Sequence, residues 1–317
     1  MEEKFKIALG ALPIPKDKRD VQHLPSANPQ PVNFMTDTSM LPVLMQNQIP
    51  ACVSHAVVNL MKLYWYKKSG KVIDFSPRFL DILSYTPDLT ITSGRDPRLV
   101  IKLANQIGCC TTATLPNDTT LPLGTYRNGS VITQAMRDEA AQYKIPGYVF
   151  IPFDEYSFKD AIMKYGMIAI CCTIGAEWWT PSWFKGDIDP LRTPNPAVGG
   201  HETCLKGWNG SLMRDLNEWS KMWADMGEND MPFPAWLPFI YGAMAITDVS
   251  PLFKFNNDMK MGSTLSPDVK ELQKRLGVIQ TGLFFTLTKK AVMLFQSANH
   301  LSIDGAVGPL TRAVLNK

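Results

Sequence analysis

Apolar positions change their spacing along the chain, from helical in the first part to strand-like later. Residues 52–67 are apolar on nearly every face of a helical turn, which predicts a buried helix. Two further helices are predicted to begin at Pro77 and Pro97, where Ser76 and Asp96 provide N-caps and proline suits the first helical position. The early part of the chain is therefore predicted to be helical.

Short apolar runs then predict strands. These runs are 147–151, 167–174, 201–208 and 240–247, and a short helix at 157–166 separates the first two. The body is therefore predicted to be α+β, with two unlike halves and a site in the cleft between them.

Both ends of the chain differ from this body, which we assign to residues 41–250. Residues 1–40 are rich in proline and polar side chains, which predicts an extended arm that lies over the body, and the alternative is a partly disordered tail. We hypothesise that the arm occupies the cleft like a propeptide. Residues 251–265 have the composition of a linker, and residues 266–317 predict a small unit of three short helices.

Composition narrows the function classes. Hydrophobic residues make up 45% of the chain and charged residues 19%, as in a globular protein, and no apolar run is long enough to span a membrane. The six cysteines and four histidines show no zinc-site spacing, so no metal and no cofactor are expected. Residues 251–317 hold nine basic and four acidic side chains, which favours an anionic partner, although a solvated basic face explains the excess equally well.

The candidate nucleophile is Cys52. It follows Pro50 at the predicted start of the buried helix, where backbone N–H groups and the helix dipole favour a thiolate. Gln46, six residues earlier, is placed to hold an oxyanion together with the Cys52 backbone N–H. The alternative is that Cys52 is a small buried apolar residue.

A nucleophilic cysteine needs a base, and the base needs a third group to orient it. His201 is the candidate base because it follows Gly199 and Gly200, which leave its approach to a cleft open. Asn217 is the candidate orienting group, and Trp219 is placed to shield the bond between them from water.

Other residues offer alternatives for parts of this site. His55 is a rival base on the predicted helix, although a packing role is favoured for it. Trp178 and Trp179 lie in a long loop at 176–198 and either line a substrate cleft or pack within the loop.

Residues 31–250 resemble the papain family of cysteine peptidases. The resemblance rests on the glutamine six residues before the cysteine, on Gly-Gly-His at the start of a strand, and on Asn-x-Trp followed by a second tryptophan, Trp223. It implies a two-lobed fold, one lobe helical and one β-barrel-like, with Cys52, His201, Asn217 and Gln46 as catalytic residues. Pro50, Ala51 and Val53 depart from the residues usual around the cysteine.

Residues 266–317 resemble a three-helix, all-α peptidoglycan-binding domain, and the run from Asp304 to Thr311 is its most specific part. The resemblance implies bacterial peptidoglycan as the partner, with contacts from Asp304, Gly305, Phe285 and Thr311. Most of the matching residues also have structural roles, so the resemblance argues for the fold more strongly than for the ligand.

Together the two resemblances imply a monomeric, cell-wall-targeted cysteine endopeptidase that cleaves peptidoglycan peptides, like a bacteriophage endolysin, and that binds no nucleic acid. The first residues do not resemble a secretory signal, so we expect synthesis in the host cytoplasm and release to the wall by another protein. Two alternatives stay open. One is a wall-docked protease acting on proteins, and the other is a non-catalytic wall-binding protein with a decayed peptidase body.

Overall fold

The structure is a computed structural model that describes residues 7–15, 17, 20–26, 29–179, 197–248, 255–264, 266–276, 278–279, 281–299 and 301–316. The chain divides into two compact units, Met1–Val249 and Ser250–Lys317. None of the helices in the described part of the chain has the length and hydropathy of a membrane span.

The first unit contains seven helices and seven strands among its described residues. The helices are α1 (Cys52–Ser69), α2 (Pro77–Leu83), α3 (Pro97–Gln106), α4 (Leu123–Tyr126), α5 (Gln134–Ala140), α6 (Glu155–Tyr165) and α7 (Phe233–Trp236). The strands are β1 (Asn33–Met35), β2 (Gly147–Phe150), β3 (Ile168–Gly175), β4 (Ala197–Asn209), β5 (Leu212–Leu216), β6 (Glu228–Pro232) and β7 (Ile240–Thr247).

The strands form one antiparallel sheet in the order β2-β7-β3-β4-β5-β6, and β1 also pairs with β4. One hydrophobic core lies around α1, α2 and α3 and reaches one face of the sheet. A second core, rich in tryptophan, lies on the other face. The predicted α+β arrangement of a helical part and a sheet part is therefore confirmed.

Helix α1 is the central helix, as its apolar sequence predicts. Its first twelve residues, 52–63, are all buried, so it is surrounded by protein along that length. It begins at Cys52 directly after Pro50 and Ala51, and it ends at Gly70, whose φ of 69° is the left-handed conformation that glycine adopts without strain.

The sequence pattern missed three short strands, and the long loop is only partly described. Strand β1 lies within the stretch assigned to the arm, and β5 and β6 are short strands without a long apolar run. In the predicted loop at 176–198, residues 176–179 form a 3₁₀ turn, and 180–196 lie outside the described residues.

The second unit contains the three predicted helices, α8 (Ser266–Arg275), α9 (Thr286–Ala298) and α10 (Pro309–Leu315), around a small core of its own. Its two halves contain the same hydrogen-bond network around a glutamine side chain. The Gln273 side-chain Nε2 donates to Thr281, Thr288 and the Leu283 carbonyl, while Gly282 N–H donates to its Oε1. The second half repeats this network at the same spacing around the side chain of Gln296.

Candidate active site

Cys52 is the first residue of α1 and is completely buried. The backbone of Glu202 and the backbone of Gly10 lie close enough to its Sγ to influence the pKa of the thiol. Burial is the largest influence and raises the pKa of the Cys52 thiol, and the nearby carboxyls of Glu218 and Glu202 raise it further. The thiolate expected from the helix start is therefore not favoured in this arrangement, because desolvation outweighs the helix dipole.

His201 and Asn217, predicted as base and orienting group, are hydrogen-bonded partners. The Nε2–H of His201 donates to Asn217 Oδ1 at 2.8 Å, and both residues are buried. This bond assigns the proton to Nε2 and leaves His201 Nδ1 as the basic nitrogen, which has no partner among the described residues. Burial lowers the pKa of His201 to about 4, against the opposing effect of the Asn217 bond.

Aromatic rings shield this pair, as predicted for Trp219. The Trp219 ring lies 4.9 Å from the His201 ring, and the Trp178 ring lies 5.9 Å from it on another side. Both tryptophans are fully buried in the core that also contains Trp223. Trp178 is therefore a core residue rather than an exposed part of a cleft, and the partly buried Trp179 packs against the same core.

Gln46, the predicted oxyanion donor, is bound to the N-terminal arm. Its Nε2 donates to the carbonyl of Ala8 at 2.6 Å and to that of Ile49 at 3.1 Å. Gln46 N–H also donates to the Glu218 carbonyl at 3.0 Å, which joins it to the residue after Asn217. An arm carbonyl therefore occupies the hydrogen-bond donor predicted to hold an oxyanion.

Arm residues 8–12 pass between the helical part and the sheet. On the helical side, Arg95 N–H donates to Gly10 O at 2.7 Å, and Leu12 N–H donates to Arg95 O at 3.1 Å. On the sheet side, Ala11 N–H donates to Gly200 O at 3.2 Å, and its carbonyl accepts from Tyr241 Oη at 3.1 Å. The arm is thus hydrogen-bonded to both sides of the space above Cys52.

The predicted cleft glycines make this close passage of the arm possible. A Cβ on Gly200 would lie 2.3 Å from the Ala11 carbonyl oxygen, and a Cβ on Gly199 would lie 2.7 Å from Leu9 Cδ1. Both glycines therefore line space that the arm fills.

The four predicted site residues come from distant parts of the chain to one region. Cys52 contacts the backbone of the residue after His201, and Gln46 contacts the backbone of the residue after Asn217. No hydrogen bond among the described residues joins the Cys52 thiol to His201. The arrangement places a thiol, a basic imidazole nitrogen and an amide donor together beneath the arm, and their catalytic roles stay predictions.

His55, the rival base, is held in the interior. Its Nδ1 donates to Ala51 O at 2.8 Å, and its Nε2 accepts from Asn117 Nδ2 at 3.1 Å. Both ring nitrogens are therefore engaged, and burial lowers the pKa of His55 to about 4. This agrees with the packing role favoured for it.

Sequence reasoning missed two buried carboxyls, Glu202 and Glu218, that directly follow His201 and Asn217. Glu218 Oε2 lies 3.7 Å from His201 Nε2, and neither of its carboxyl oxygens has a hydrogen-bond partner among the described residues. Burial raises the pKa of Glu218 well above its usual value. Nothing in the residues next to either glutamate in the sequence indicates that its side chain is buried.

Three of the four predicted wall-binding residues hold the second unit together. Asp304 and Thr311 accept hydrogen bonds from Gln296 Nε2, and Gly305 N–H donates to Gln296 Oε1. Phe285 is different, since 55% of it is exposed and therefore available to a ligand. A role in wall binding stays a prediction for all four residues.

Comparisons with known proteins fit both units. Residues 265–315 match the family of peptidoglycan binding domains. Xylellain, a cysteine protease from Xylella fastidiosa, has a similar solved structure, with a TM-score of 0.66, 20% identity and coverage of 76% of this chain and 96% of that one. A search among curated proteins gave no match.

Two solved structures of procathepsins are also similar. Digestive procathepsin L 3 of the Tenebrio molitor larval midgut gives a TM-score of 0.57 at 14% identity, covering 78% of this chain and 77% of that one. ProCathepsin B S9 from Trypanosoma congolense gives a TM-score of 0.59 at 15% identity, covering 78% of this chain and 88% of that one. The chain therefore combines the papain-like cysteine protease fold with a C-terminal peptidoglycan binding domain.

Proposed function

We propose that this protein is a cysteine endopeptidase that cleaves peptide bonds in bacterial peptidoglycan and acts at the cell wall, as a bacteriophage endolysin does. The observation that carries the proposal is the His201–Asn217 bond, which leaves Nδ1 of a buried imidazole without a partner among the described residues, in the region of a helix-start cysteine. The peptidoglycan binding domain in the same chain supports the wall as the place of action.

In the proposed reaction, His201 Nδ1 takes the proton of the Cys52 thiol, and the sulfur attacks the carbonyl carbon of the peptide bond. Gln46 Nε2–H and the Cys52 backbone N–H hold the resulting oxyanion. His201 then gives the proton to the leaving amine, and Asn217 keeps the imidazole oriented throughout. Water, activated by the same imidazole, releases the acyl group from the sulfur.

The described form fits a latent enzyme in which the arm acts as a propeptide. The arm engages Gln46 through Ala8, and its Gly10 backbone lies near the Cys52 thiol, so a substrate has to displace both arm segments. Burial under the arm also raises the pKa of the thiol, which disfavours attack. Two of the similar structures carry the name of a proenzyme, which agrees with this reading.

The test is a digest of purified sacculi by the full chain, before and after exposure to a protease that can trim the arm. We expect new amine termini in the muropeptides by mass spectrometry, and none with the Cys52→Ala variant. Release of amines from casein but not from sacculi would instead identify a wall-docked protease acting on proteins. Failure on both substrates, with Cys52 inert to alkylation after trimming, would favour a non-catalytic wall-binding protein.

A further inference from the structure

Glu202, Cys171 and Gly242 lie side by side across strands β4, β3 and β7. Because paired residues of adjacent strands share a face, their side-chain positions point to the same side of the sheet. Cys171 belongs to the core around α1, which includes Cys52, whereas its neighbour Cys172 belongs to the tryptophan-rich core. The row therefore lies on the side of the sheet that carries the nucleophile.

The Glu202 carboxyl in this row has no cationic partner within the described ranges. Glu202 is completely buried, its Oε2 accepts a hydrogen bond from Cys171 Sγ at 3.3 Å, and its Oε1 has no partner in the described part of the chain. No ion pair with a lysine, arginine or histidine is found for it among the described residues. Its acidic neighbours are Asp96 and Glu218, so a cation entering this region meets carboxyl groups.

The arm covers this row. A Cβ on Gly242 would lie 2.5 Å from Ile14 Cδ1 and 3.0 Å from Cys171 Sγ, so the tip of Ile14 fills the space that the missing side chain leaves. Ile14 follows the arm residues hydrogen-bonded above Cys52. When the arm leaves, Ile14 leaves a recess whose floor carries the Glu202 carboxyl, with Oε1 unpartnered by any described residue.

We propose that this recess, lined by Glu202, Cys171 and Gly242, is a substrate subsite for a positively charged side chain. This inference rests on the proposed peptidase function and names its substrate class, a peptide with an ammonium or guanidinium group near the scissile bond. A cation entering the recess donates a charge-assisted hydrogen bond to Glu202 Oε1. Two sources carry this group: the diamino residue of a peptidoglycan stem, and lysine or arginine in a protein.

The experiment uses the full chain with Gly10→Ala, a change that displaces the arm, with and without Glu202→Gln. Fluorogenic peptides carry lysine or its uncharged counterpart norleucine at each position in turn. At one position we expect kcat/KM to favour lysine by about tenfold to a hundredfold, the range of a hydrogen bond to a charged group. Glu202→Gln should reduce that ratio to near one.

The matched control is Asp215→Asn, since Asp215 is an equally buried carboxyl that is bonded to Thr203 instead. The Asp215→Asn variant should keep the preference for lysine over norleucine. Equal rates for lysine and norleucine peptides at every position, or a preference that survives Glu202→Gln, would overturn the subsite. A stem peptide with a diamino residue and a lysine peptide of the same length then separate the two sources.

A second readout does not need hydrolysis. The same peptides should slow alkylation of Cys52 by iodoacetamide. The lysine peptide should protect Cys52 from alkylation at about tenfold lower concentration than the norleucine peptide. If no peptide is cleaved but this protection is seen and Glu202→Gln abolishes it, the subsite stands and the proposed function fails. Protection that does not distinguish lysine from norleucine would refute the subsite.

Discussion

Gly10 is the point at which the arm can be displaced without altering a predicted catalytic residue. A Cβ on Gly10 would lie 2.2 Å from the carbonyl oxygen of Pro50 and 2.6 Å from its carbonyl carbon. Both are backbone atoms directly before α1, so they cannot turn aside as a flexible side chain would. Gly10→Ala should therefore push this part of the arm away from the helix start.

The size of the effect follows from the cost of overpacking, about 1 to 3 kcal/mol for an inserted carbon. If the arm bears that strain only while it is in place, the population with the arm displaced should rise roughly 5- to 150-fold. Cys52 is completely buried in the arm-covered form, so its alkylation reports that population.

The assay is labelling by iodoacetamide at neutral pH, with each cysteine followed by peptide mapping. The chain contains its own control, because the other five cysteines are also buried. Faster labelling of Cys52, alone or together with the arm-covered Cys171, indicates local release of the arm, whereas faster labelling of all six indicates general unfolding. Leu24→Ala is the matched arm variant, since Leu24 is 77% exposed and should leave every rate unchanged.

The reasoning is refuted if the folded Gly10→Ala protein labels Cys52 at the wild-type rate. Peptide hydrolysis should rise in parallel with labelling. A protein whose Cys52 reacts faster but whose hydrolysis does not rise would show that the arm guards the thiol without being what limits catalysis.

Three further predictions concern the base, the pH response and the second unit. Asn217→Ala should lower kcat about a hundredfold with little change in KM, because the imidazole loses its orienting bond, and Asn217→Asp should restore more activity than alanine. Burial raises the pKa of both Glu202 and Asp215 to about 8. Between pH 6.5 and 8 the folded chain therefore binds more protons than the unfolded chain. The free energy of unfolding consequently falls as pH rises through this window. The melting temperature of the full chain should therefore decrease across this window, and Asp215→Asn should make the decrease shallower. Gln296→Ala should destabilise the second unit by about 2 to 3 kcal/mol, because the buried groups that Gln296 bonds lose their partner. Phe285→Ala should instead weaken sacculus binding in a pull-down without lowering the melting temperature.

Long apolar segments, and the residues that begin and end them, could be predicted from the sequence because burial of apolar side chains dominates their stability. Helix α1 begins where Pro50 and Cys52 predict, and β7 has the predicted bounds of 240–247. The Asp96 side chain caps α3 as expected, by accepting from Arg98 N–H. These helix and strand boundaries depend on residues close by in the chain, so they can be predicted from a single sequence.

Features that depend on contacts between distant segments were not readable. Strand β1 has only three residues, and its pairing with β4 comes from the sheet rather than from its own pattern. The effect of burial on Cys52 could not be foreseen either, because it needs the arm lying on the helix start. Glu202 and Glu218 appeared as ordinary acidic residues, since nothing local shows that both side chains are buried.

The arm that covers Cys52 is part of the same chain, and this sets its effective concentration. A tethered segment reaches its site at a concentration on the order of millimolar however dilute the protein is, so dilution cannot release it. The peptidoglycan binding domain is a second tether, which would raise the local concentration of wall peptides around the same molecule. Under the proposed function, the arm meets no polymeric competitor for the cleft in solution but meets a dense polymeric substrate on the wall, so attachment itself would start the reaction.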